Sequence, residues 1–323
     1  MKNIQKTPDL IASNGESLRE TFGKTLSKLG GKYSNFVVLD ADVAGGTGTH
    51  NFLKESPDRF FQFGIAEQNM MAAAAGIATV DLIPFVTTFS VFTLRAIEQA
   101  RLSIAYANRN VKIVASHPGL DVGPDGASAQ CLEDIAMFRS IPNFVVISPC
   151  DHLEMAQATE AIINYRGPVY MRSGRSPTPS ILPDNYKFEI GKGSIIRKGS
   201  DVTLISCGVQ TNRCLKAAEI LYEKGIKSRV VNLSTIKPLD KKLILKCAEE
   251  TGCFVTAEDH NVIGGLGSAV SELLSKFKPV PIEFIGVKDC FGESGEPDEL
   301  SEKYELTAPF IVEAALKVIK RKN

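Results

Sequence analysis

Apolar runs rich in β-branched and aromatic residues alternate with amphipathic stretches along most of the chain, the pattern of parallel strands joined by crossover helices. Leu18, Phe22, Leu26 and Leu29 recur at helical spacing before Gly30 and Gly31, which predicts an amphipathic first helix and its stop. Strands are predicted at FVVLD (36–40), FFQF (60–63), LIPFV (82–86), VKIVAS (111–116), FVVISP (144–149) and VYMR (169–172), with helices between them. Residues 173–188, SGRSPTPSILPDNYKF, carry three prolines and no periodicity, so they read as a linker. The boundary falls near residue 186, dividing 1–186 from 187–323. A second alternation follows: DVTLISCG (201–208), a helix over 211–224, KSRVVNL (227–233), a helix over 239–250, CFVTAEDH (253–260), a helix after Gly264, PIEFIGV (281–287) and a closing helix over 308–320. The predicted fold class is α/β, two doubly wound domains of which the second is smaller.

Composition narrows the function. A chain of 323 residues that is 44% hydrophobic can bury two domain cores. Lys plus Arg and Asp plus Glu balance at 37 each, so no electrostatic footprint points to nucleic acid or to an anionic membrane. The seven cysteines form no C-x-x-C pair and are odd in number, which reads as free thiols in a reducing cytoplasm. The first 17 residues lack an apolar signal core, and the most hydrophobic stretch, 70–80, is far short of the roughly 20 residues a membrane helix needs. A cytoplasmic protein with a small-molecule or protein partner is expected.

Four segments carry candidate chemistry. In FFQFGIAEQNMMAAAAGIA (60–78), Glu67 opens a helix between aromatic residues and an alanine run. A carboxylate there is ordinarily a cap or a charge complement to the helix dipole, but a dry setting would also shift it toward catalytic use. The small residues after it let the helix approach a neighbouring surface closely. The other three segments follow predicted strand ends, where open parallel sheets place ligands. DADVAGGTGTHN (40–51) is glycine-rich but lacks the Gly-Lys-Ser/Thr ending of a P-loop, so a flexible loop competes with a phosphate cradle. TTFSVFTLRAIEQ (87–99) sets Phe89 and Phe92 three apart on one helical face, a spacing common in cores. SHPGLDVGPDGASAQ (116–130) is a long loop holding His117, Asp121, Asp125 and Gln130. His117 is a candidate acid or base beside the plainer reading of a surface histidine.

Six segments in order, PDRFFQFGIAEQNM, IPFVTTFSVFTLRAIEQAR, SHPGLDVGPDGASAQCLEDIAMFRSIPN, STIKPLD, AEDHNVIGGLGSAV and FGESGEPDEL, resemble the pyrimidine-binding and C-terminal domains of transketolases over essentially the whole chain. The resemblance implies thiamine diphosphate as cofactor. It puts Glu67 against the cofactor's aminopyrimidine ring, where the family's glutamate promotes the imino tautomer that deprotonates the thiazolium carbon. It implies that Phe89 and Phe92 pack on the pyrimidine and that Asp42 lines the cofactor site. On the sugar side it implies that His117 and Asp125 bind donor hydroxyls and that Arg19 and Arg175 grip the phosphate, with Arg172 an open alternative to Arg175. Two positions depart from the family: Gly46 replaces a phosphate-contacting serine, and Ala129 a histidine or glutamine. Either Gln130 serves instead or the preferred sugar differs.

The family holds the diphosphate and its metal on a further domain with a Gly-Asp-Gly motif, and no Gly-Asp-Gly occurs here. The resemblance therefore implies a split enzyme. A partner N-terminal subunit would supply the diphosphate site with its magnesium or calcium, and two copies of each chain would form a heterotetramer. The implied reaction moves a two-carbon ketol unit from a ketose phosphate to an aldose phosphate in the pentose phosphate pathway. The beta subunit of a 2-oxo acid dehydrogenase, a deoxyxylulose-phosphate synthase and a non-catalytic assembly subunit are the rivals. Gly264–Gly267 could bind an anion at a helix start, beside the reading of a structural turn; the second domain is otherwise expected to support assembly.

Overall fold

In the computed structural model, which describes residues 15–322, the chain builds two helix-flanked sheets. The larger orders its strands Thr235–Lys237, Val145–Ile147, Val169–Ser173, Lys112–Ser116, Ile83–Phe89, Phe36–Asp40 and Phe60–Gln62. The six from the first half of the chain run parallel. Phe36–Asp40 and Lys112–Ser116 are buried at every position, because helices cover both faces, and such strands read as continuous apolar runs. The first helix is Leu18–Gly30, and its predicted stripe of Leu18, Phe22, Leu26 and Leu29 is its buried face.

The smaller sheet orders Ile282–Val287, Phe254–Asn261, Val202–Ser206, Ser228–Asn232 and Ser194–Arg197, the last antiparallel to its neighbour. Helices Gln210–Glu223, Lys241–Thr251, Leu266–Phe277 and Ala308–Lys320 accompany it. Both halves are thus α/β, as the pattern predicts.

Two features differ from the sequence reading. The proline-rich segment is not a free linker: Pro177–Thr178 pairs with Glu16–Ser17, Asp151 accepts from the backbone of Ile181 and Leu182, and Gln157 accepts from Phe188 N. Polar side chains of helix His152–Asn164 and of its cap thus bind backbone donors of the segment and tie it to the first lobe. The second feature is Thr235–Lys237 within STIKPLD, which crosses from the second half and pairs antiparallel with Val145–Ile147. A single buried apolar side chain, Ile236, marks it, so periodicity had nothing to register. The crossing makes one core run from Val37 and Tyr170 in the first lobe to Ile205, Val231 and Phe254 in the second.

All seven cysteines are free thiols, and only Cys290 is exposed. No described helix is long and apolar enough to cross a membrane.

Candidate functional site

The parallel strands end in register. Asp40 pairs with Thr87, Phe89 with Ser116, and Ser116 with Ser173. The segments after these strand ends therefore emerge on one rim, and strand order reverses between Phe36–Asp40 and Ile83–Phe89, where such sheets bind ligands. Asp42, Phe92, His117 and Arg175 stand on that rim because each follows a strand end by one to three residues.

The glycine-rich segment is an ordered element. Helices Ala44–Thr47 and His50–Glu55 occupy it. Its hub is Asp40, which sequence reasoning passed over: the carboxylate accepts from Val43 N at 2.8 Å and Gln62 Nε2 at 2.9 Å, with Thr47 and Thr87 hydroxyls at 3.5 and 3.4 Å. Burial pushes its pKa up against those bonds. Asp42 itself is exposed, in a left-handed backbone conformation (φ 64°), and donates its N–H to Gln62 Oε1 at 2.7 Å.

Phe89 and Phe92 do not share a helix face. Phe89 ends its strand and Phe92 lies in the first turn of Ser90–Arg95, yet their rings stack at 5.3 Å and 10°. Phe89 also stacks on His117, centroids 3.7 Å apart. Gly46 makes this possible, since a Cβ there would stand 2.5 Å from Phe89 Cε1.

His117 is buried, with φ 59° and Nδ1 2.9 Å from Ser116 Oγ. Burial, reinforced by the Arg19 and Arg175 charges, pushes its pKa down to about 3. The imidazole is neutral at physiological pH, suited to hydrogen bonding rather than to holding a charge. Arg19 donates to Gly46 O at 3.3 Å, and its Nε is buried without a partner. Arg175 donates to Val122 O and lies 3.5 Å from Asp125. Arg19, His117, Asp125 and Arg175 thus form one cluster in which the two guanidinium groups, with Asp125 and Glu20 as acidic neighbours, keep N–H donors such as Arg19 Nε unpartnered. Unpartnered donors of this kind fit an anionic ligand group.

Arg172 is elsewhere. It is buried, ion-paired with Asp134 through Nε at 2.7 Å and through Nη2, and donates Nη1 to Asp259 O at 2.8 Å. Its donors are spent on the fold, which leaves Arg175 as the arginine facing the cluster. The Gln130 amide nitrogen is also committed: Nε2 donates to Glu293 O at 2.9 Å and to Gly123 O at 3.4 Å. Its Oε1 is buried without a partner, so one acceptor of Gln130 is not committed to the fold. The Gly264–Gly267 turn is no open anion site, because Glu258 already accepts from Leu266 N at 2.6 Å and Gly267 N at 2.9 Å.

Glu67 opens helix Glu67–Ile77 and is 3% exposed. The N-cap position is Ala66, which has no capping side chain, and Glu67 Oε2 is buried without a hydrogen-bond partner. Strand Ile83–Phe89 and helices Ser90–Arg95 and Ala100–Tyr106 pack against its helix, but not all the flanking apolar residues are buried. Phe61 is 45% and Ile65 75% exposed, because Phe60–Gln62 is the sheet edge and nothing described covers it. A buried, unpaired carboxylate oxygen is costly. It fits a donor on an incoming group, as the aminopyrimidine ring of thiamine diphosphate would provide.

Comparison with known proteins assigns the whole arrangement. The transketolase pyrimidine-binding domain model matches residues 15–180 and the transketolase C-terminal domain model residues 191–311. A Methanocaldococcus jannaschii protein described as a putative transketolase C-terminal section is 46% identical over 310 residues, spanning 95% of this chain and 97% of the relative. A 6-deoxy-6-sulfo-D-fructose transketolase subunit from a Clostridium strain is 42% identical over 307 residues, 95% of each chain. A solved structure described as a split gene transketolase, an inactive beta4 tetramer, superposes with a TM-score of 0.90 at 45% identity over 96% of this chain and all of that one. Sheet order, rim and the two matched domains together place this chain in the transketolase family, whose members use thiamine diphosphate, as a split subunit carrying the pyrimidine-binding and C-terminal domains.

Proposed function

We propose that the chain is the C-terminal subunit of a transketolase that moves a two-carbon ketol unit between sugar phosphates, active when an N-terminal partner supplies the diphosphate and magnesium site. The observation that carries this reading is the joint presence of an unpartnered Glu67 carboxylate and the Arg19, His117, Asp125, Arg175 cluster on one sheet rim. When bound, thiamine diphosphate supplies the nucleophilic carbon that carries the two-carbon unit. Glu67 would hold the pyrimidine ring by a hydrogen bond strengthened in its dry setting, Phe92 with Phe89 would pack against that ring, and Asp42 would line the entrance. His117, neutral, and Asp125 would orient the donor hydroxyls, while Arg19 and Arg175 hold the terminal anion. The boundary near 186 divides the two roles, supported by the gap between the matched regions at 180 and 191.

The partner reading is supported by the surface of helix Glu67–Ile77 and of the segments next to it. Phe61, Ile65, Val80, Leu102 and Tyr106 are exposed apolar side chains, and Ala72 and Gly76 leave the helix surface open for close approach. The similar split gene structure is an inactive tetramer of one chain type. Alone, this chain should likewise assemble without turnover, and with its partner form a two-plus-two heterotetramer in the cytoplasm.

A second sugar class has support of its own. Gly46 and Ala129 offer no side-chain hydrogen bond, and two guanidiniums bind a sulfonate by the same geometry as a phosphate. The test is to co-purify the chain with the product of its neighbouring gene and add thiamine diphosphate and magnesium. Xylulose 5-phosphate or 6-deoxy-6-sulfo-D-fructose is then offered with an aldose phosphate acceptor. Sedoheptulose phosphate from xylulose 5-phosphate and ribose 5-phosphate supports the pentose phosphate reading, and turnover of the sulfo-sugar alone moves it to that class. Turnover of pyruvate with neither sugar used sinks it.

A further inference from the structure

The second domain bonds the turn beside the sugar cluster through a buried carboxylate. Asp259, on the buried strand Phe254–Asn261, accepts from Leu120 N with Oδ1 at 2.9 Å and from Asp121 N with Oδ2 at 3.2 Å. Those amides begin the turn Leu120–Asp125, which links His117 to Asp125. Gly119 admits the carboxylate: its φ is 74°, and a Cβ would lie 2.1 Å from Asp259 Oδ2. Asp259 is itself fixed, because its carbonyl accepts from Arg172, which Asp134 clamps.

The consequence runs on to Arg175. Asp121 Oδ2 accepts from Ser176 N at 3.1 Å, Ser176 Oγ donates to Asp121 O at 3.1 Å, and Arg175 donates to Val122 O. The far end of the turn is held by the same domain, with Gly123 against Pro297 and Gln130 bonded to Glu293 O. We infer that Asp259 is a positioning residue for sugar binding: from the second domain it sets the turn that spaces His117, Asp125 and Arg175. The inference rests on the sugar-phosphate reading for its consequence, and on geometry alone for the docking.

Asp259→Asn tests it. An amide keeps the size but offers one acceptor oxygen, so one of the two N–H groups loses its partner. In the purified chain, hydrogen exchange should accelerate about tenfold or more in peptides covering 118–126, as expected for loss of a charge-assisted bond, and stay unchanged over 112–116. In the complete enzyme the donor KM should rise about tenfold while kcat and thiamine diphosphate affinity stay within about twofold. Gly119→Ala should give the same KM effect by displacing the carboxylate, and the double variant should be no worse than either single one. Unchanged exchange overturns the docking whatever the substrate is. Faster exchange with unaltered donor KM overturns the positioning role and leaves simple domain adhesion. A wild-type complex that uses no ketose phosphate would count against the sugar reading, while exchange would still decide the docking.

Discussion

Gly46 lies under the ring of Phe89 so closely that a Cβ there would come within 2.5 Å of Cε1, and the same ring stacks on His117 at 3.7 Å. Backbone at position 46 therefore sets an aromatic ring that in turn sets the imidazole. Gly46→Ala should push Phe89 off His117, raising donor KM severalfold and costing about 1–3 kcal/mol of stability by overpacking. Denaturant unfolding and donor saturation curves measure both. An unaffected KM would show that the ring adjusts without moving His117.

Glu67→Gln should lower turnover by about a hundredfold or more, the range for loss of a positioned proton-handling group. The unfolding midpoint of the purified chain should hold or rise, because the wild-type carboxylate carries an unpaired buried oxygen at a cost to stability. Full turnover in that variant would refute the role assigned to Glu67. A large loss of stability would show that the side chain supports the fold.

Arg172 and Arg175, three residues apart, should behave oppositely. Arg172→Met strands the buried Asp134 carboxylate and should cost about 3–5 kcal/mol. Arg175→Met removes a partly exposed ion pair and should change stability by less than about 1 kcal/mol. Its cost should fall on sugar binding instead, as a raised KM for donors with a terminal anion. Equal stability losses in the two variants would contradict this division.

Glu258 gives a pH signature. Burial raises its pKa to about 7 although two helix amides bond to it. The folded state thus binds a proton more tightly than the unfolded one, so this group's contribution is fully present below the unfolded value of about 4.5 and is lost as pH rises through about 7. Between pH 5 and 8 the wild-type melting temperature should fall relative to that of Glu258→Gln, whose side chain does not titrate. Parallel melting curves across that range would overturn the assignment.

Much of this was legible in the chain itself. Period 3.6 in residues 18–29 and continuous apolar runs such as FVVLD reveal helices and buried strands, because solvent exclusion acts on every local segment alike. The motif around Glu67 and the loop of His117 and Asp125 pointed to one cofactor chemistry without any coordinates. Three things were not legible, and each depends on contacts between residues far apart in sequence. Thr235–Lys237 joins the first sheet by pairing with residues about ninety positions earlier. Arg172 and Arg175 look alike in sequence, and only the burial of Asp134 separates a structural cation from one facing the sugar cluster. Asp259 lies 139 residues from the amide it binds at Leu120, so its link to the sugar turn exists only once both domains are packed. Local patterning settles which segments are strands and helices. Which polar groups remain free for a ligand is settled only when the fold has satisfied the others, since a buried donor or acceptor must find its partner wherever the chain brings one.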